Sequence, residues 1–371
     1  MKPNPMKKTI ALLMLGGLFA ANLQAQQVNI HITGSTAFRA NNYRAIRALY
    51  GSGLVSQNPA DPASSKNQVT WTGTMTNIFG SSQTVNIYAS YSGSIAGVQA
   101  LVQGTSLTFL SSPTNGSTNT FTAPADLAFS DVYQAATPFT STPLVDALVA
   151  IQPFVYVKSQ SANTVSNVTM QQLQVMLGNG SMPLSYFTGK TNDDATLIYM
   201  VGRNNDSGTR LTSHADDFFT GTPQLYQPDT NCNWGLSAGF SSGSGVVGAL
   251  TSGCGHAIGY LGLSDAETAT TNGCVILTYN GFYPFAGTNY TPGQQVATTP
   301  DFTPVYKGQY SYWSYEHLFE LSGAVGGNID TFRTALIAAV DNDIATLTPV
   351  TAIRLTAMKV SRPSDGGPIA P

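Results

Sequence analysis

One supersecondary unit occurs three times in this chain, and no other feature restricts its fold as much. Val28, Ile30 and Ile32 alternate with Asn29, His31 and Thr33, a period of two that predicts a strand. The strand runs into Gly34-Ser35-Thr36-Ala37, after which Phe38, Tyr43, Ile46, Leu49 and Tyr50 recur at helical spacing up to a stop at Gly51. The second copy reads Val85, Ile87, Ala89, then Ser92-Gly93-Ser94, then Ile95, Val98, Leu101 and Val102, ending at Gly104. The third reads Leu197, Tyr199, Val201, then Arg203 to Thr209, then Leu211, Ala215, Phe218 and Phe219. Three strands thus hand over to three helices through short polar loops, which makes this an α/β chain.

That junction favours anions. The first N–H groups of a helix have no intrahelical acceptor, and the macrodipole adds partial positive charge at the same end. Glycine lets the backbone come close to a ligand, and Ser or Thr hydroxyls add donors. A single such loop is weak, because Ser and Thr are ordinary N-caps. Three in one chain, one of them carrying Arg203, point to a shared oxyanion site. A fourth element, the apolar run Leu127-Ala128-Phe129, ends in Ser130-Asp131. A carboxylate beside an anion makes sense if the anion carries a proton. Monohydrogen phosphate has one to donate; sulfate at neutral pH has none and would be repelled. The plainer reading of Asp131 is a strand-end residue that caps the next turn.

Charge limits the alternatives. Only 9% of the chain is Asp, Glu, Lys or Arg, against about 25% in ordinary proteins. No basic face for nucleic acid is visible, and an anion site cannot rest on a cluster of cations. Lys2, Lys7 and Lys8 precede an apolar run from Ile10 to Ala21, and Leu23-Gln24-Ala25 offers a small residue for cleavage. This layout predicts a signal peptide over 1–25, with no cysteine nearby for a lipid anchor. Its removal takes three of the 16 basic residues and leaves 13 against 19 acidic ones, a balance of −6. Three cysteines, Cys232, Cys254 and Cys274, allow one disulfide with one thiol left over. Their spacing is not that of a metal site, and no metal or cofactor is expected.

With Arg203-x-x-x-Ser207-Gly208-Thr209, the ordered loops resemble the phosphate-binding periplasmic protein of phosphate ABC transporters, a type 2 periplasmic binding protein. Ile32 to Phe38 is similar to that family's first phosphate loop, Ser94 to the serine opening its second helix, and Ser130-Asp131 to its Ser-Asp pair. The resemblance covers roughly residues 28 to 285, including Ala257-Ile258-Gly259-Tyr260 and Leu173-x-x-Met176-Leu177-Gly178 with Phe187 beyond. It implies that Ser35, Thr36, Ala37, Ser94, Ser130, Asp131, Arg203, Ser207, Gly208 and Thr209 hold the ligand, and that Asp131 accepts the phosphate proton. It also implies a periplasmic or secreted monomer that binds inorganic phosphate and serves an inner-membrane ABC permease. The chain departs from the family in a longer stretch from Ser52 to Gln83 and in a first loop one residue short.

The family's fold is two α/β lobes joined by two chain crossings, and 371 residues suit two domains. Val149 to Val157, apolar and β-branched, reads as the first crossing. The Gly/Pro/Thr-rich stretch between Tyr283 and Val305 reads as the return. Lobe one is then 26–150 plus 305–371, and lobe two 151–304. Tyr310, Tyr312, Trp313, Tyr315 and Phe319 read as core near the hinge, with a sugar-stacking platform as the other option. The Gly/Pro-rich tail from Ser361 to Pro371 is expected to be exposed.

Other functions fit less well. Gly239-Phe240-Ser241-Ser242-Gly243 matches the G-x-S-x-G nucleophile pattern, but Asn231 to Ala238 is not a convincing strand, and no acid is evident for His256 or His317. A phosphatase would need a metal cluster or a nucleophile beside a base, which Asp206 and Asp216-Asp217 do not supply. Receptors for sulfate, molybdate, tungstate or arsenate, or a secreted interaction protein reusing the fold, remain as alternatives.

Overall fold

The computed structural model describes residues 27–60, 66–161, 164–286, 300–322, 326–346 and 351–371; the signal peptide expected over 1–25 lies outside them. The three repeated units form as the periodicities predict. Strand β1 (Val28–Gly34) leads to helix α1 (Arg39–Tyr50). The stretch after α1 contributes strands β2 (Leu54–Asn58) and β3 (Gln68–Met75), and β4 (Gln83–Tyr91) then leads to helix α2 (Ser94–Gln103). Strand β5 (Leu127–Ser130) ends just before Asp131, and the long strand β6 (Leu144–Lys158) follows. The third unit is β7 (Leu197–Val201) and helix α3 (Gly208–Asp216). Helix α4 (Gly243–Leu250), strand β8 (His256–Gly262), helix α5 (Leu263–Thr271), strand β9 (Trp313–Leu321) and helix α6 (Asn328–Thr346) complete the frame.

One mixed sheet of eleven strands runs through the molecule in the order Ser181–Pro183, β7, β8, β6, β9, β5, β1, β4, β3, β2, with Val275–Ile276 alongside β6. β1 pairs in parallel with β4 and β5, which brings the ends of three strands, and so three loops, to one edge. The extra residues between Ser52 and Gln83 widen this sheet: β3 pairs antiparallel with β4, and β2 with β3. β6 serves both halves. Its residues 144–153 pair with β9 and its residues 154–158 pair with β8, so the extended apolar run read as a crossing is a strand shared by two packing units.

Those units have separate cores. Ile30, Ile32, Phe38, Tyr43, Ile46 and Trp71 cluster with Phe332, Leu336 and Val340 of α6. Tyr156, Leu173, Met176, Ile198, Met200, Ile258 and Tyr260 form the other cluster. This second core also takes in Phe302, Val305, Tyr310, Tyr312 and Trp313, with Tyr312 stacked on Tyr156 at 4.9 Å. The second core thus includes residues beyond 304, and β9 then pairs with β5 and the first part of β6. Part of the stretch expected to make that return, 287–299, lies outside the described residues.

One expectation is corrected here. The inward side chains of β7 are Ile198, Met200 and Val201, whereas Leu197 is exposed and Tyr199 half-buried. A strand apolar on both faces gives no alternation to read, and the outer face is covered by Trp234, whose ring stacks on Tyr199 at 4.6 Å. The tail is largely exposed, as expected, apart from Arg362, which is buried and anchors it. Arg362 lies buried over the Trp313 ring at 4.2 Å, donates to the Ser311 and Trp313 carbonyls, and pairs with Asp216 at 3.6 Å. Asp365 accepts the Tyr133 N–H at 3.0 Å. Two charged anchors thus hold a segment rich in Gly and Pro. Cys232 and Cys254 form a disulfide, and Cys274 is a buried thiol. Among the described residues no helix is long and apolar enough to cross a membrane.

Candidate functional site

The three loops converge because their strands are neighbours in one sheet and because the second unit turns α3 toward the first. Asp131 lies at the meeting point. Its carboxylate accepts from the Ser94 hydroxyl and, at 3.1 Å, from the Thr209 hydroxyl. The Asp131 N–H in turn donates to the Ser94 Oγ at 3.2 Å. Gly208 has to be glycine here, since a Cβ at that position would overlap the Asp131 carboxylate and the Ser94 side chain. The backbone N–H groups of Ile95 and Ala96, the free donors that open α2, point at the Asp206 carbonyl at 3.0 and 3.4 Å. The loop of the third unit therefore sits on the helix start of the second.

Arg203 is buried beside them. Its N–H donates to the Tyr260 hydroxyl at 3.0 Å, its Nε to the Phe240 carbonyl at 3.0 Å and its Nη2 to the Ser241 carbonyl at 2.8 Å. The Gly239 to Gly243 run is thus the cradle of this guanidinium. It does not form a nucleophile elbow: Ser241 is exposed, His256 bonds Ser161, and His317 bonds Asp146 at 2.9 Å. The acid that His317 was not expected to have is Asp146, which is remote in sequence.

The other site residues read from the sequence divide into two groups. Ser35, Ser130 and Ser207 bond the local backbone, and Ser207 does so as a helix cap. Ser35 Oγ accepts the Phe38 N–H at 3.3 Å, Ser130 Oγ donates to the Val132 carbonyl at 2.7 Å, and Ser207 Oγ caps α3 by accepting the Arg210 N–H at 3.2 Å. Thr36 and Ala37 face the second unit. The Thr36 hydroxyl is buried with no hydrogen-bond partner, and the Ala37 carbonyl accepts from Ser264 of α5 at 3.3 Å. Ser94, Asp131, Gly208 and Thr209 touch directly, and the charge of Arg203 reaches Asp131.

Three charged residues escaped the sequence reading. Arg39, at the start of α1, donates to the Thr36 carbonyl and forms a 2.9 Å ion pair with Asp265 of α5, with both side chains buried. Glu316 is fully buried, with neither carboxyl oxygen hydrogen-bonded. The β9–β5 register pairs His317 with Ser130, which puts Glu316 beside Asp131. Burial, followed by the Asp131 charge, pushes the Glu316 carboxyl well up, which favours its protonated form. Burial also raises Asp131 to about 6, against the opposing pull of Thr209 and Arg203. Arg39, Arg203, Asp131 and Asp265 together carry no net charge. No group of three or more His, Cys, Asp or Glu side chains suited to a metal occurs among the described residues. The arrangement has the parts for holding an oxyanion: helix starts, hydroxyls, one guanidinium and a proton acceptor. In this structure those donors are bonded within the protein, to the Asp131 carboxylate and to the Asp206, Phe240 and Ser241 carbonyls.

A large mixed sheet flanked by helices and two hydrophobic cores give the two-lobed fold of periplasmic binding proteins. Among solved structures the chain is similar to one described as a phosphate ABC transporter substrate-binding protein with bound phosphate, from Clostridium perfringens. Identity is 13%, the TM-score is 0.53, and the match covers 88% of this chain and 99% of that one. An ABC-type phosphate transport receptor from Vibrio cholerae matches at 14% identity and a TM-score of 0.48 over 87% and 99% of the two chains. A phosphate binding protein from Stenotrophomonas maltophilia matches at 14% and 0.46 over 89% and 91%. No family model and no curated protein sequence matches the chain.

Proposed function

We propose that this protein is an exported solute-binding protein that captures inorganic phosphate between its lobes and presents it to an ABC permease. The observation that carries the reading is the position of Asp131, a buried carboxylate among donors. Ser94, Gly208 and Thr209 contact it directly, and Arg203 attracts it. The shared fold with the Clostridium perfringens protein, which holds phosphate, supports it.

Ligand enters an open form. Hinge motion about the strand shared by the two units separates α3 from α2, freeing the Ile95 and Ala96 N–H groups from Asp206 and the Ser94 and Thr209 hydroxyls from Asp131. Phosphate oxygens take those donors, and Arg203 supplies charge-assisted hydrogen bonds. Asp131, relieved of its hydroxyl partners, accepts the proton of monohydrogen phosphate. Each intramolecular bond is exchanged for one to the ligand, so closure restores every donor to a partner.

The test is Arg203→Ala. Loss of hydrogen bonds to a charged group should weaken phosphate binding by about 2 kcal/mol or more; unchanged affinity, measured by equilibrium dialysis, would remove Arg203 from the site. A scaffold that stays shut is the second reading. It is favoured by the donors being satisfied without ligand and by the buried Arg39–Asp265 pair between the units. It predicts no oxyanion binding at any concentration short of denaturation.

A further inference from the structure

Arg39 and Asp265 stand 226 positions apart, on helices that belong to different cores. Their 2.9 Å ion pair is buried on both sides. One Asp265 oxygen takes Arg39, and the other lies against Gly243, where a Cβ would overlap it. Gly243 is two residues beyond Ser241, whose carbonyl accepts the Arg203 guanidinium at 2.8 Å. Asp265 therefore spans the space between the two buried arginines. A carboxylate there has two cations to draw on, and whichever it neutralises is lost to an anion in the cleft.

We propose that Arg39 is a specificity-determining residue of the phosphate site: by binding Asp265 directly, it keeps that carboxylate from neutralising Arg203. This rests on the phosphate reading above. Without Arg39 the cleft would hold Asp131 and Asp265 against Arg203 alone, a net negative charge that repels every oxyanion. Without Asp265 it would hold two arginines against Asp131, a net positive charge that attracts oxyanions whether or not they carry a proton. The pair thus sets the charge at which recognition of the proton by Asp131, and not bulk attraction, decides what binds. Neither residue is required to touch the ligand.

A plain latch between lobes makes the opposite forecast, because a latch weakens whichever side is cut. The experiment is calorimetric titration of inorganic phosphate and of sulfate into wild type, Arg39→Gln, Asp265→Asn and the double variant, with folding checked by circular dichroism. Arg39→Gln should weaken phosphate binding about tenfold or more. Asp265→Asn should tighten both anions and sulfate more, so that selectivity falls. The double variant, uncharged at both positions, should return to within about threefold of wild type. If both single variants weaken phosphate and the double variant is no better, the pair is a latch and the inference is overturned. Should Asp265→Asn not fold, the comparison of Arg39→Gln with the double variant decides alone. A wild type that binds no oxyanion would instead defeat the phosphate reading, and Asp265→Asn would still have to gain anion binding for the charge role to stand.

Discussion

In the proposed phosphate reading, recognition turns on Asp131. Its carboxyl is raised to about 6 by burial, so it is ionised at neutral pH and protonated in mild acid. In that reading an ionised Asp131 would accept the proton of monohydrogen phosphate and repel sulfate, whereas a protonated one would donate and tolerate an anion with no hydrogen. The preference for phosphate over sulfate should therefore rise with pH through about 6. Competition titrations at pH values on either side would show it, and a flat ratio would contradict it. Asp131→Asn should abolish the pH dependence and admit sulfate throughout. At this scale the sequence was partly legible. Asp131, Arg203, Gly208 and Thr209 stand out because loop chemistry and strand ends are local properties. Ser35, Ser130 and Ser207 looked the same, yet here their hydroxyls bond the local backbone, Ser207 as the cap of α3, and a polar loop residue gives no local sign of which way its hydroxyl turns. Arg39 and Asp265 carried no local signal at all.

At the scale of elements, the fold depends on how strands are shared. Alternation predicted β1 and β4, whose Ile30, Ile32, Val85, Ile87 and Ala89 share one core with α1 and α6. It misjudged the inward face of β7, where both sides are covered and neighbouring residues are equally apolar. The tail shows what a composition argument leaves out. Gly and Pro describe the backbone, whereas Arg362 and Asp365 describe the anchors, tying the 361–371 segment to Ser311, Trp313, Asp216 and Tyr133. Arg362→Ala removes the cation from a pair that is buried on both sides. It should lower stability by about 3–5 kcal/mol, because Asp216 is left uncompensated. Urea unfolding monitored by tryptophan fluorescence measures this, with Trp313 beneath the guanidinium as a reporter; a loss under 1 kcal/mol (roughly the value of an exposed pair) would mean the tail is decorative.

For the molecule as a whole, buried carboxyls set the response to pH. Burial holds Asp217, hydrogen-bonded by Tyr156 at 2.5 Å and Tyr279 at 2.9 Å, at about 7, and does the same to Asp365. In the unfolded chain both ionise near the ordinary value of 3.8. The native state thus binds more protons between those values, and stability falls as pH rises toward and through about 7. The thermal midpoint should drop between pH 6 and pH 8 (roughly the last stretch of that window), and Asp217→Asn should shrink the drop; a midpoint that rises instead would place these groups wrongly. Binding couples to the same architecture, because a ligand that holds the closed form raises the midpoint by mass action.

The claim that matters most is that this low-charge site opens for phosphate. Titration of inorganic phosphate, and separately of sulfate, into the purified mature chain at neutral pH by calorimetry tests it directly. Saturable phosphate binding of micromolar or tighter affinity, with no heat from sulfate, is the predicted result. No phosphate binding, or equal binding of both anions, would contradict it.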